Sequence, residues 1–317
     1  MRNWITGVLL LGSIGPLAAQ AYPNRPIVVL GTTPAGNPVD LATRFIGDRV
    51  KAKTGQPWLV ENKPGALGSI AATATAKAKP DGYTAFMCPS GALSANQYLQ
   101  KTLNYDPRKD LQLVARLFKF DFALIVNPEK TPVNSVSELT AFLKAKKGKI
   151  SYGYFSASMQ ALGAQYAHLS GITASPVAYR NSQQMMTELA AGDFDFSFSS
   201  IDNSIRPSSS LRSLAIASQN RSVLLPDLPT QAEAGLVNAL PLYAWFGLCL
   251  PAGTPDNVTK TLAPILLEIA RSDEFKEFLK NVAGEPLPGD AAEFEETRTQ
   301  SEKDWKYFVD LAKIEAE

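Results

Sequence analysis

Short runs of Val, Ile, Leu and Phe alternate along this chain with longer stretches whose apolar positions recur every three or four residues. Residues 27–30 (Ile-Val-Val-Leu) read as a buried strand. After them, Ala42, Phe45, Ile46 and Val50 fall on one face of a helix running from about residue 40 to 50. Residues 58–61 predict a second strand, the Ala-rich stretch 68–79 a helix, and residues 84–87 a third strand. Such a β-α-β-α-β order predicts a parallel or mixed sheet covered by helices. A second set starts at the apolar run 122–126 and continues through helices over 135–146, 158–169 and 182–191. There Phe194, Phe196 and Phe198 alternate with Asp195 and Ser197, the period of a strand, and Asp193 and Asp195 share one face of it. From Pro251 onward the pattern is mostly helical, and its last segment (293–312) carries Phe294, Trp305, Phe308 and Leu311 on its apolar side. Two α/β lobes account for this pattern better than one.

The N-terminus has a different character. Arg2 is followed by an apolar run over residues 8–17 and by Ala19-Gln20-Ala21. A basic start, a short hydrophobic core and an A-x-A end describe a secretory signal peptide over residues 1–21, cleaved after Ala21. The run is too short for a membrane span, which needs about 20 apolar residues. No cysteine follows the cleavage point, so the expectation is a periplasmic protein without a lipid anchor.

Charge narrows the partners. Lys and Arg number 31 against 30 Asp and Glu, and removal of Arg2 makes the two counts equal. A balanced chain sets up no field for nucleic acid or a membrane surface, so an anionic ligand must be held by local groups. The cysteines are Cys88 and Cys249. An oxidising compartment permits a bridge between them. Each sits in a strand-like apolar run, however, where cysteine serves as a small hydrophobe, and the expectation is two buried free thiols.

Candidate chemistry concentrates where strands meet helices. In the loop 31–40, Asn37 suits an N-cap, Pro38 the first helical position and Asp40 the third. The loop thus brings a helix N-terminus, with free N–H groups, to the carboxyl end of a strand, where anions bind and ligands of open α/β sheets collect. Thr32, Thr33, Ala35, Gly36, Asn37 and Asp40 are its candidate ligand residues; the alternative is an ordinary βα turn. A second helix start lies at 64–69, and the polar loop 89–94 offers Ser90 and Ala92. In the second lobe, Ser156 and Ser158 open one helix, and Tyr179 and Arg180 precede another that begins near Ser182. Ser158 and Ser182 also suit plain N-caps, the commoner role of a serine at a helix start. Tyr154 and Phe155 serve either the core or the walls of a cleft, and Asp202 completes the set.

Catalysis finds little support. The single histidine, His168, lies on an amphipathic stretch, and no nucleophile elbow, C-x-x-C pair, H-E-x-x-H or phosphate loop occurs. No catalytic residue, metal ligand or cofactor is expected. An exported hydrolase using Ser156 would need His168 or a lysine as its base.

The motifs converge on a known family. Tyr22-Pro23-Asn24-Arg25-Pro26-Ile27, Glu61-Asn62-Lys63-Pro64-Gly65-Ala66, Lys79-Pro80-Asp81-Gly82-Tyr83-Thr84, Leu225-Pro226-Asp227-Leu228-Pro229-Thr230 and Trp245-Phe246-Gly247-Leu248 occur in order along the chain. So does Pro251-Ala252-Gly253-Thr254-Pro255. With these the chain resembles the solute receptors of the tripartite tricarboxylate transporter class, the Bug (Bordetella uptake gene) family. The resemblance implies an α/β, two-lobed type II periplasmic-binding fold (a Venus flytrap) with its ligand cleft between the lobes. Lobe 1 would comprise 22–121 and 246–317, and lobe 2 would comprise 122–245. It also implies a monomeric receptor that holds a small carboxylate and delivers it to membrane permease subunits. A sensory receptor for the same ligand class is the other reading this architecture allows.

Departures from the family pattern cluster in the ligand loops. Thr32-Thr33 replace a P-F pair, Asn37 replaces a glycine, and the double glycine after Pro64-Gly65-Ala66 becomes Leu67-Gly68. A Gly/Ser-rich loop before a histidine becomes Tyr154-Phe155-Ser156-Ala157-Ser158 without the histidine, and Y-K-G becomes Tyr179-Arg180-Asn181. Larger aromatic and hydroxyl side chains point to a ligand unlike a simple tricarboxylate, an aromatic or bulkier carboxylate.

Overall fold

The structure, a computed structural model, describes residues 22–202 and 210–316; the signal segment expected over 1–21 lies outside the described residues. In the first sheet, β1 (Ile27–Gly31) pairs in parallel with both β2 (Trp58–Asn62) and β3 (Thr84–Pro89). Antiparallel β10 (Ala244–Pro251) joins β3 to β4 (Leu111–Phe120), and β11 (Glu285–Gly289) forms the edge, giving the order β11-β4-β10-β3-β1-β2. The second sheet contains β5 (Phe122–Val126), β6 (Ile150–Tyr154), β7 (Ala174–Ala178), β8 (Phe196–Ser200) and β9 (Arg212–Ile216), ordered β7-β6-β8-β5-β9. A parallel core with antiparallel strands added is the mixed sheet that the alternating pattern predicts.

Helices cover both sheets because their apolar stripes have no other place to be buried. Helix α1 (Pro38–Thr54) starts where the sequence indicates. The Asn37 side chain accepts from the Val39 N–H at 3.0 Å, and left-handed Gly55 ends the helix. Its Ala42, Ile46 and Val50 pack on one face of the first sheet with α7 (Asp256–Arg271) and α8 (Asp273–Asn281). On the opposite face, α2 (Ser69–Ala76) buries Ala71 and Ala72 against Phe86 and Phe294. A short helix, α3 (Asn96–Leu99), follows the turn after β3. The second sheet is covered by α4 (Val136–Ala145), α5 (Ala157–Ser170) and α6 (Ser182–Ala191). No helix of the described residues is long and apolar enough to cross a membrane.

The chain changes sheets at Asp121, the single residue between β4 and β5, and β10 brings it back. The last helix, α9 (Ala291–Ala312), opens with a capping box between Asp290 and Glu293 and belongs to both halves. At its start Phe294 meets Trp245 edge-on and lies over Gly247, where a Cβ would sit 2.4 Å from the phenyl ring. Further along, Trp305 and Phe308 enter the core of the second sheet beside Tyr166 and Phe196.

Three local expectations are corrected. Cys88 and Cys249 form a disulfide with Cα atoms 6.0 Å apart. The register pairs Cys88 with Gly247 and Phe86 with Cys249, so the two cysteines are diagonal neighbours on one face of adjacent antiparallel strands. The caps of α5 and α6 are Ser156 and Asn181, upstream of Ser158 and Ser182. Finally, β8 begins at Phe196, which leaves Asp193 exposed in the preceding turn. Asp195 is buried, 2.5 Å from Lys146 and accepting the Ser151 N–H, so the two aspartates share no face.

Candidate ligand site between the two sheets

The carboxyl ends of β1 and β3 on one side, and of β6, β7 and β8 on the other, carry the loops that the sequence singles out. Asp40 is 3 % exposed and organises the first of them. Its carboxylate accepts from the Gly36 N–H at 2.8 Å, the Asn62 amide at 2.9 Å and the Arg44 guanidinium at 3.0 Å. Burial opposes its ionisation, but the bonds from Arg44, Asn62 and Gly36 prevail and hold its carboxyl below the usual carboxylate range. Gly36 is left-handed at φ 82°, which lets the loop turn back onto this carboxylate. Asp40 therefore shapes the loop from within and does not present its charge to the cleft. Asn62 ties in the next strand by donating to the Thr33 carbonyl at 2.8 Å.

Around that frame, Ala35, Gly36 and Asn37 are exposed, and Thr32 and Thr33 are half-buried. The Thr33 hydroxyl is buried without a hydrogen-bond partner. Thr32 packs where the loops meet: a Cβ on Gly68 would come within 3.1 Å of its methyl and 3.5 Å of Pro89. Ser90 is half-buried at the end of β3. Ala92 corrects the expectation for its loop. It is 1 % exposed in the apolar core with Phe86 and Leu93, and its carbonyl accepts from Tyr105 at 2.6 Å.

From the second sheet, Tyr154 ends β6 and its carbonyl accepts the Tyr179 N–H at 2.8 Å, which sets the two aromatic residues side by side. The Tyr179 ring lies 5.4 Å from Phe194. Burial, with the carboxylates of Glu188 and Asp193 nearby, pushes its phenol well above the ordinary range, so it is a neutral hydroxyl at physiological pH. Ser156 caps α5 by accepting from the Met159 N–H at 3.4 Å. Ser158 is half-buried in the first turn, Arg180 is exposed, and Asp202 is half-buried beyond β8.

A cavity of about 790 Å³ brings part of this set together. Tyr154, Phe155, Ser156 and Tyr179 line it from the second sheet, facing Leu67, Leu99 and Lys101 from the first; Gln160 and the C-terminal residues Ile314 to Ala316 complete the wall. The first loop, Ser90, Ser158, Arg180 and Asp202 are not among its lining residues. Sequence reasoning missed Leu99, Lys101, Gln160 and the C-terminal segment, none of which belongs to a strand-to-helix loop of the expected kind. Leu67 carried a signal, as the residue standing where the family pattern has glycine.

Ser156 cannot act as a nucleophile activated by His168. That histidine is exposed in the last turn of α5, about 18 Å away at about 1.5 Å rise per residue.

The family model for the tripartite tricarboxylate transporter family receptor matches residues 42–312. The chain belongs to that receptor family. Its members are periplasmic substrate-binding receptors and not enzymes. Protein BugT of Bordetella pertussis is 32 % identical over 260 residues, covering 78 % of this chain and 77 % of that protein. A UPF0065 protein of Bordetella bronchiseptica is 30 % identical over 285 residues, 89 % of this receptor and 84 % of its relative. Among solved structures, R. palustris Rpa4515 with adipate superposes at a TM-score of 0.79 with 25 % identity, covering 93 % of this receptor and 100 % of that chain. The periplasmic binding protein BugD gives 0.75 at 25 % identity, with coverage of 93 % and 100 %. These neighbours place the receptor in the two-lobed periplasmic-binding fold.

Proposed function

We propose that this receptor takes a small organic carboxylate into the cavity between its sheets and delivers it to the membrane permease of a tripartite transporter. The observation that carries the reading is the composition of the cavity. It sets the N-terminus of a 14-residue helix, α5, and Lys101 around a space walled largely by Leu67, Leu99, Tyr154, Phe155 and Tyr179, with Gln160 and Glu315 as further polar lining. Free N–H groups at a helix start and a nearby cation suit one carboxylate, and the apolar wall suits the rest of the molecule. The adipate in Rpa4515, a carboxylate in a related receptor, supports the same ligand class.

In this reading lobe 1 comprises 22–121 and 246–317, lobe 2 comprises 122–245, and the N-terminal 21 residues direct export and are cleaved. The loops around Thr32, Thr33, Ala35, Gly36 and Asn37, together with Ser90, Ser158, Arg180 and Asp202, join the ligand when the lobes close over it. The Thr33 hydroxyl then gains the partner it lacks. A ligand drives closure only by binding the closed form more tightly.

The test is a melting-temperature screen of the mature protein against aliphatic and aromatic mono-, di- and tricarboxylates with matched amides. At a ligand concentration a hundredfold above Kd, the stabilisation is about 2.7 kcal/mol. A rise with a carboxylate but not with its amide, without turnover, is the expected result. Equal rises with acid and amide, or none with any acid, would remove the carboxylate from the reading.

A further inference from the structure

Ala66 and Leu67 both have left-handed backbones, at φ 44° and 51°. Side chains with a Cβ enter that region at a cost, and a bulky leucine does so rarely. Leu67 is also 55 % exposed, so its apolar side chain gives little to the folded core in return. A leucine both strained and exposed is poorly accounted for by folding, and strain of this kind persists only where the surroundings enforce it.

The surroundings do enforce it. Gln100 donates through Nε2 to the Ala66 carbonyl at 2.8 Å, and Asn96 donates through Nδ2 to the Leu67 carbonyl at 3.1 Å. Ser69 locks these amides together, donating to Gln100 Oε1 at 3.0 Å and accepting from Asn96 Nδ2 at 2.9 Å. Two side chains from the α3 segment thus clamp two successive carbonyls of the turn. The clamped turn delivers Leu67 to the wall of the interlobe cavity that faces Tyr154, Phe155 and Tyr179.

We infer that Leu67 is a specificity-determining residue, held in a strained turn so that its side chain closes an apolar wall on the body of the ligand. The ligand class is then a carboxylate with an aryl or extended hydrocarbon body, in preference to compact hydroxylated or tricarboxylic acids. On this wall the isobutyl group of Leu67 packs against a ring or an alkyl chain but offers no hydrogen bond to a hydroxyl or an extra carboxylate, which would be desolvated against it. This inference rests on the receptor reading above.

Calorimetric titration of the mature protein with 3-phenylpropanoate, malate and citrate tests it, alongside the variants Leu67→Asn and Leu67→Gly. Both replacements enter the left-handed region readily, so neither should lower the melting temperature. The wild type is expected to bind 3-phenylpropanoate at least tenfold more tightly than malate or citrate. Each variant is expected to lose at least tenfold in affinity for 3-phenylpropanoate. A wild type that prefers malate or citrate, or variants that keep full affinity for 3-phenylpropanoate, would overturn the role of Leu67 while leaving a carboxylate receptor standing. A wild type that binds none of the three acids, and none in the wider screen, would overturn both.

Discussion

The ammonium of Lys119, on the penultimate residue of β4, lies 2.5 Å from the carboxylate of Asp121, the residue at which the chain passes from one sheet to the other. Glu285 from β11 stands 3.5 Å from the same ammonium. Ser218 donates to Asp121, and Ser222 donates to Glu285. Asp121 and Glu285 are buried and Lys119 nearly so, with side-chain exposures of 0 %, 10 % and 11 %. Replacing Lys119 by Met leaves two carboxylates facing each other away from water. Breaking a buried ionic cluster in this way costs about 3–5 kcal/mol. Urea denaturation of Lys119→Met should show that loss, and a loss below about 1 kcal/mol would mean that water reaches the crossover.

The Cys88–Cys249 bridge closes a loop of chain with a sequence separation of 161 residues and joins β3 to β10 inside the first sheet. The double variant Cys88→Ser/Cys249→Ser should lose about 2–5 kcal/mol. Adding reductant to the wild type should reproduce that loss but leave the variant unaffected. Titration of free thiols in the unfolded, unreduced protein checks the pairing directly, and two reactive thiols per chain would refute it.

Asp40 supplies a pH signature. Its folded-state carboxyl titrates below the unfolded value, so its contribution to stability is fully present above about pH 4 and is lost as pH falls through the lowered folded value. Asp40→Asn should cost about 1–2 kcal/mol at pH 7, because one charge-assisted set of hydrogen bonds is weakened. The gap between variant and wild type should narrow steadily as the pH drops below 4. A gap independent of pH would show that the carboxylate charge is not what holds the loop.

Gly247 is a packing requirement. A Cβ there would meet the Phe294 ring at 2.4 Å and the Ala115 carbonyl at 2.5 Å, and backbone cannot withdraw as a flexible side chain can. Gly247→Ala should therefore cost about 1–3 kcal/mol, as overpacked cores do. Its melting temperature, compared with that of a Gly91→Ala control, where a Cβ would meet nothing within 4 Å, reads the effect.

His168→Ala should leave stability within about 0.5 kcal/mol and ligand affinity unchanged, since the side chain is exposed at the end of α5 remote from the cavity. Complete loss of binding would reassign that helix end to the site.

Much of the architecture was legible because it is written in local periods. The 3.6-residue stripe of α1 and its Asn37-Pro38 start, the apolar runs of β1, β3 and β5, and the phenylalanines of β8 each need only neighbouring residues to be read. The disulfide was not legible, because it depends on which strands lie side by side across a long separation. Nor was the burial of Ala92, because a small residue in a polar loop gives no periodic signal. The site was legible in part for the same reason. Tyr154, Phe155, Ser156 and Tyr179 sit at strand ends that topology brings to one cavity, whereas Lys101 and Gln160 reach it only through packing.

Helix α9 is anchored by Phe294 in one core and by Trp305 and Phe308 in the other, so it is a rigid splint between them. Two bodies joined by flexible strands alone could swing apart like doors. With a splint fixed to both, any movement of one core against the other has to repack at least one of these aromatic anchors.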